Sequence, residues 1–305
     1  MVDEDRGAAR QVGEGRRGSV PDVVKGALAI IASAFGFAMM AAFVRLCDDF
    51  GGSVSCFQKS FFRNLVAFAI ALAVVIGELR GRRIALPSGI KQWTLVVLRS
   101  VAGTVGIFGN FYALSKIPIG EAMALNKTAP WFTVVFSWMF LRERAGMRQL
   151  LCLAVAFAGV LLVLRPGFRG AETFPSLCAL AGGLGAGIAY TCLRELGTMK
   201  VDSAFIVLFF SAFSCIASLP PVMCSPDPMT PAQIAIMLGA GASAAIGQFG
   251  VTAAYRYAAP RKIAVFDYTN VVFTAGFGYV LFSQVPDLIA TLGFVLIVLA
   301  ISMRR

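Results

Sequence analysis

Ten apolar stretches follow one another along this chain, and the second five read as a copy of the first five. They fall near 23–46, 57–78, 93–114, 119–141, 148–164, 174–193, 203–223, 232–254, 262–282 and 286–303. A bilayer core takes about 20 apolar residues per helical span, so these stretches have the lengths of membrane crossings. The runs are continuous, whereas barrel strands would be about 10 residues long with alternating polarity, so helices are the spanning element. Composition agrees: 58% of residues are hydrophobic and 14% charged, against about a quarter charged in a soluble domain. The expected fold class is an all-α integral membrane protein with ten transmembrane helices in two inverted five-helix repeats.

The formal charge is +11, and its placement points to a membrane and not to nucleic acid. With the N-terminus inside, the even-numbered connections and the two ends hold most of the basic residues. These are Arg6, Arg10, Arg16, Arg17, Lys25, Arg80, Arg82, Arg83, Lys91, Arg142, Arg144, Arg148, Arg194, Lys200, Arg256, Arg261, Lys262, Arg304 and Arg305. The odd connections hold Lys116, Arg165 and Arg169. That asymmetry fits the positive-inside rule with both termini cytoplasmic, and an odd span count would put the C-terminal arginines outside. Residues 1–22 are polar and glycine-rich and are expected to be a disordered cytoplasmic tail. The first repeat is expected over 23–165 (spans one to five) and the second over 174–303 (spans six to ten). The first apolar run is longer than a signal-peptide core and lacks a small-x-small cleavage site before its polar end.

Several chemistries are disfavoured by what the chain lacks. The histidine count is 0, which removes most general-base, zinc and Ser-His-Asp proposals. The cysteines Cys47, Cys56, Cys152, Cys178, Cys192, Cys215 and Cys224 are scattered without a CxxC pair, so neither a metal nor a redox motif is expected. Small apolar filling is their ordinary use; a Cys47–Cys56 disulfide at the first outer loop is the weaker alternative. No cofactor is expected. The glycine runs GTVGIFG (103–109) and GGLGAG (182–187) lack the strand and the Lys-Ser/Thr of a phosphate loop and read as close helix packing.

The duplication is visible in the residues. Sliding the chain by 141 positions lays ALNKTAPWFTVVFSWMFLRE (124–143) over VFDYTNVVFTAGFGYVLFSQ (265–284). Asn126 falls on Asp267, Thr128 on Thr269, Phe132 on Phe273, Thr133 on Thr274 and Glu143 on Gln284. Five spans per half is an odd number, so the second copy enters the membrane in the opposite sense. Inverted repeats of this kind build many secondary transporters and place a site near the midplane between the halves.

FYALSKIPIGEAMALNKTAPWFTVVFSWMFLRERAGMRQ (111–149) resembles the first repeat of the EamA family of the drug/metabolite transporter superfamily. Its marks are the ALS turn at 113–115, Pro130, and the LRE at 141–143; VFDYTNVVFTAGFGYVLFSQVPD (265–287) resembles the second repeat. The resemblance covers about residues 24–303. It implies ten helices in two inverted units, a central cavity, peripheral spans five and ten, and movement of small organic metabolites across the cytoplasmic membrane. Gln284 departs from the pattern, where the second repeat often has Glu.

Ionisable groups inside a bilayer are costly and therefore the first functional candidates. They are Arg45, Lys59, Arg63, Arg99, Lys127 and Asp267. Arg63 lies about 9 Å of helix rise from the outer end of span two, and Lys59 shares its face four residues away. Two readings stay open for Lys59, Arg63 and Arg99: a grip on carboxylate or phosphate, or snorkelling to the interface. Arg45 reads as an interface ion pair with Asp48 or Asp49. Lys127 lies about 12 Å of rise into span four, and Asp267 stands near Asn126 in repeat position. A Lys127–Asp267 pair is either a permanent buried ion pair or one that substrate or a proton breaks. Asp267 is read as the only acid within a span and as the candidate for proton or ion coupling. The first span, 23–46, holds no carboxylate, which disfavours coupling there.

The substrate-binding candidates are Arg63, Arg99, Asn110, Asn126, Lys127, Tyr190, Gln248, Tyr268 and Asn270. Arg99, Gly103, Gly106 and Asn110 form one stripe; Gln248, Thr252 and Tyr255 form another. For the polar residues, interhelical hydrogen bonding is the competing use. Pro130 either breaks span four and frees carbonyls or kinks it. The expected function is a secondary transporter for an amino acid, organic acid or similar metabolite, working by alternating access. A metabolite exchanger or a channel-like facilitator is the alternative, and a membrane enzyme is disfavoured. The expected partners are a small-molecule substrate and the lipid bilayer, with no nucleic acid; a homodimer is compatible with this construction. The expected location is the cytoplasmic (inner) membrane.

Overall fold

A computed structural model of the protein describes residues 20–303 apart from 53, 82–83, 115, 118, 168–171 and 225–226. Most of the expected tail, Ser115 of the ALS turn, and Arg82, Arg83, Arg169, Arg304 and Arg305 fall outside the described residues. Every regular element among the described residues is helical. They are α1 (Val20–Asp49), α2 (Cys56–Arg80), α3 (Ile90–Leu114), α4 (Ile119–Asn126), α5 (Ala129–Leu141) and α6 (Met147–Leu164). Then come α7 (Thr173–Thr198), α8 (Ser203–Cys224), α9 (Pro231–Tyr257), α10 (Pro260–Ile263), a 3-10 turn (Ala264–Tyr268), α11 (Thr269–Phe282) and α12 (Leu288–Ser302). The helix therefore begins at Val20, inside the segment expected to be tail.

Among the described residues, eight segments are long and apolar enough to cross a membrane: α1, α2, α3, α6, α7, α8, α9 and the Pro260–Phe282 stretch. α12 is a shorter apolar helix. Of the two readings left open for Pro130, the fourth apolar stretch shows the break. It is two helices, α4 and α5, parted at Lys127 and Thr128. Pro130 sits in the first turn of α5, where its missing N–H costs nothing and its fixed φ suits a helix start. The ninth stretch is broken at the equivalent place by the 3-10 turn Ala264–Tyr268, a tighter winding often found at functional hinges. The threonine hydroxyl at each break folds back on a local carbonyl: Thr128 donates to Leu125 O and Thr269 to Phe266 O. These pairs are related by the same 141-position shift.

The ends of α5 and α11 also match. Arg142 and Ser283 adopt left-handed φ of 55° and 52°. The following N–H groups, of Glu143 and Gln284, donate to Ser137 O and Gly278 O, each at 3.1 Å. Packing repeats the exchange: α1 packs most extensively on α9, and α3 on α7, the repeat counterpart of that pair. α2 packs on α8, and α6 on α12. Close approach explains the glycine runs. A Cβ at Gly109 would lie 2.5 Å from Cys178 O, and one at Gly250 would lie 2.9 Å from Ala29 O. GIFG (106–109) and GQFG (247–250) are again 141 apart, so the same residues close the α3–α7 and α9–α1 contacts.

Contacts between connections sort into two sets. In one, Ser55 N donates to Asp227 at 2.6 Å and Gln233 Nε2 to Cys47 O at 3.1 Å. In the other, Asp202 N donates to Ala85 O at 2.9 Å, Lys91 pairs with Glu195 at 2.7 Å, and Arg261 donates to Arg144 O at 2.8 Å. These join odd-numbered connections to each other and even-numbered ones to each other, as two membrane faces require. One buried core gathers Ile30, Val96, Leu193, Ile206 and Tyr255; a second gathers Val134, Leu153, Val160, Tyr268 and Ile297 around α6 and α12. All seven cysteines are free thiols, so the Cys47–Cys56 disulfide is not formed.

Candidate functional site

The two helix breaks meet at the centre. Lys127 Nζ lies 3.9 Å from Asp267 Oδ2, with 13% and 11% of the two side chains exposed. The pair anticipated from the repeat is thus in place, at ion-pair range and beyond hydrogen-bond length. Glycines of α7 let it approach the α4–α5 break. A Cβ at Gly183 would stand 2.5 Å from Thr128 Oγ1, 3.0 Å from Leu125 O and 3.1 Å from Asn126 O.

Two arginines from neighbouring helices are buried near this level: Arg63 of α2 is 5% exposed and Arg99 of α3 is 2% exposed. Snorkelling would have left their heads at a surface, and it does not occur. Arg99 Nη2 donates to Gln248 Oε1 at 2.7 Å, and its guanidinium lies 3.6 Å from the ring centroid of Phe210. The Arg63 guanidinium lies 5.8 Å from the Phe37 ring. Nε of both arginines is buried without a hydrogen-bond partner. Among the described residues neither arginine has a carboxylate within ion-pair reach. Tyr190 of α7 sits within electrostatic range of Arg63, Arg99 and Asp267 and stacks on Tyr255 of α9 at 5.3 Å. The Tyr255 hydroxyl is buried beside Thr133. Thr252, one turn from Gln248, spends its hydroxyl on the Gln248 carbonyl at 2.7 Å. Residues of α2, α3, the α4–α5 break, α7, α9 and the 3-10 turn, drawn from both repeats, thus form one polar layer.

Other candidates lie at its edge or elsewhere. Asn126 and Asn110 both adjoin Gly182 of α7, and Asn110 Oδ1 is buried and unpartnered. Asn270 donates to Ala34 O of α1 at 2.9 Å, an interhelical bond across the second break. Tyr268 packs toward α6, its ring 6.2 Å from Phe157, with its hydroxyl buried beside Trp131. Lys59 is bound to Asp48 at 2.7 Å, so it belongs to the surface set. That leaves Arg45 without the pairing expected of it. With the Gln284 amide turned so that its oxygen faces Arg45, Oε1 accepts from both terminal nitrogens at 2.9 Å. The Arg45 guanidinium also lies 4.4 Å from the Phe282 ring.

Two features escaped the sequence reading. Glu121, in the first turn of α4, is 3% exposed with Oε2 unpartnered, so Asp267 is not the only acid within a span. It lay in view inside 119–141 and needed no partner to be found. The second feature is a doubled clamp. Arg194 of α7 grips Glu143 Oε1 through Nε and Nη2 at 3.0 and 2.9 Å and reaches Tyr255 O at 3.4 Å. Arg45 and Gln284 make the repeat-related contact at the other end of the molecule. One clamp is an ion pair and the other is neutral at its acceptor.

Comparison with known proteins follows the same division. The model of the EamA-like transporter family matches residues 24–165 and 173–303. The chain is 28% identical over 285 residues to the pseudopaline exporter of Pseudomonas aeruginosa strain UCBPP-PA14, covering 92% of this chain and 96% of that one. It is 27% identical over 248 residues to the riboflavin transporter of Vibrio cholerae serotype O1, covering 78% and 80%. A crystal structure of a protein at 18% identity superposes with a TM-score of 0.76 over 92% of this chain and 96% of that one, a likeness of fold.

Proposed function

The chain belongs to the EamA-like transporter family, and from that premise we propose that it is a secondary transporter. It carries a small organic metabolite across the cytoplasmic membrane by alternating access. The observation that carries this reading is the polar layer. Arg63, Arg99, Lys127 and Asp267 are held on helices of both repeats, with Lys127 and Asp267 at paired helix breaks. Desolvating charges at such a depth costs several kcal/mol per ion, and intramembrane charges mark solute pathways. Broken helices at matching positions of two repeats are where transporters of inverted-repeat design bind their solutes.

The sorting of connections into two faces supports ten crossings in two inverted five-helix repeats, 23–165 and 174–303, with α4–α5 and α12 each crossing. The basic excess on the even-numbered connections supports cytoplasmic termini. Asp267, held by Lys127 at 3.9 Å, is the group at which a proton or the solute would compete for a partner. Arg63, Arg99, Gln248 and Tyr190 form the grip, and Asn110, Asn126, Tyr268 and Asn270 border it. The two relatives are named for chemically different solutes, so the solute class is argued from this chain's own charges. No ATP-binding motif occurs in the sequence, so the energy comes from a gradient, an exchanged solute or downhill flow.

The test is uptake by sealed proteoliposomes of purified protein offered a mixed metabolite pool, read by mass spectrometry with and without a proton gradient. Selective accumulation of one or a few small metabolites over protein-free vesicles is expected. No accumulation of anything, in sealed vesicles holding folded protein, would overturn the reading.

A further inference from the structure

The charges of the polar layer do not balance. Lys127 and Asp267 cancel each other across 3.9 Å. Arg63 and Arg99 are then left as two positive charges, each at least nine-tenths buried and each with an unpartnered Nε. Among the described residues, the groups in contact with them are neutral: the Gln248 amide oxygen and the Phe210 ring for Arg99, and the Phe37 ring for Arg63. A ring face gives a cation about 0.5–2 kcal/mol, less than the several kcal/mol that burial of each ion costs. The two guanidiniums lie within electrostatic range of each other. They rest on aromatic rings of different helices, Phe37 of α1 and Phe210 of α8. Two guanidiniums without a carboxylate partner call for two negative charges, and two carboxylates, each taking one guanidinium in the forked two-bond geometry, supply them.

Resting on the transport reading above, we propose that the solute is a dianion carrying two separate anionic groups, one gripped by Arg63 and the other by Arg99. The loaded layer is then electrically neutral within the membrane. A monoanion or a zwitterion leaves at least one guanidinium uncompensated, and an organic cation adds repulsion. Tyr190, within electrostatic range of both arginines, and Tyr255, stacked on it at 5.3 Å, belong to the same layer.

The experiment offers sealed proteoliposomes an equimolar panel. It contains dicarboxylates of four to nine carbons, the matching half-amides and monocarboxylates, neutral amino acids and choline. Melting of the detergent-solubilised protein is followed with the same compounds. Entry and thermal stabilisation by dicarboxylates, with half-amides at least about tenfold weaker, are expected. Arg63→Gln should lower dicarboxylate affinity roughly tenfold to a hundredfold while sparing the matching half-amide. Arg63→Lys, which keeps the charge and loses the fork, should fall between. Preferential entry of monocarboxylates, amino acids or choline would overturn the dianion and leave the transporter standing. An unchanged dicarboxylate-to-half-amide ratio in folded Arg63→Gln would overturn it too. No entry and no stabilisation by any compound would count against the transport reading itself, and the dianion with it.

Discussion

Lys127 and Asp267 are the residues whose roles a mutation cycle separates best. Removing one partner of a buried pair leaves an uncompensated charge and costs about 3–5 kcal/mol, while removing both can be near neutral. Lys127→Met and Asp267→Asn should each lower thermal stability markedly, and the double variant should recover most of it. If the pair is part of the transport cycle, the recovered protein stays inactive in uptake assays; full activity would make the pair structural. At the surface, the Arg165 guanidinium bound to Asp287 holds that carboxyl below its usual value. A carboxyl with a depressed folded pKa adds stability above its unfolded value, and that stability is lost as pH falls through the folded one. Acid titration of melting should therefore show a loss below the ordinary carboxylate range that Asp287→Asn removes. Arg63, Arg99, Lys127 and Asp267 were legible in the sequence because a charge in an apolar run stands out unaided. The Arg45–Gln284 contact was not, because its partner lies 239 residues away and is defined only by packing.

Among elements, the helix breaks and the helix ends carry the argument. The hydropathy of 119–141 reads as one span, since two residues at Lys127 and Thr128 barely alter an average over about 20. Pro130 was the residue that signalled the break, and its position in the first turn of α5 explains why. Gly183 lets α7 approach that break, so Gly183→Ala must displace Thr128 or the Leu125 and Asn126 carbonyls. A loss of about 1–3 kcal/mol is expected, as for overpacking elsewhere, and a melting scan checks it. The end clamps differ in strength because Glu143 is charged and Gln284 is not. Hydrogen bonds to charged groups contribute about 1.5–3 kcal/mol. Gln284→Glu should raise the melting temperature by giving Arg45 an acid, and Glu143→Gln should lower it. Because Arg194 also reaches Tyr255 O, loosening that clamp should change transport rate as well as stability.

For the whole molecule, the architecture was the most legible part. Counting apolar stretches and sliding the chain by 141 positions found the two copies, and the exchange of packing partners between α1–α9 and α3–α7 repeats them in space. Which side chains face the layer was less legible, because a membrane helix is apolar on its outward face as well as its packed one and so gives no clear amphipathic stripe. Asn270 shows this: the sequence leaves cavity lining and interhelical bonding both open for it, and its amide ties α11 to α1 at the border of the layer. Sidedness is testable on a cysteine-free background. A cysteine at Ser88 should react only from the inner face, and one at Asp227 only from the outer.

The most direct test of the central claim uses Cys192 of α7, buried and within electrostatic range of Arg99. With the other six cysteines replaced, a charged thiol reagent is applied to sealed vesicles from either face. Alternating access predicts that Cys192 reacts from both faces in a protein that leaks no reagent, and that a transported solute slows both reactions. Reaction from one face only, with or without solute and under either gradient, would contradict it.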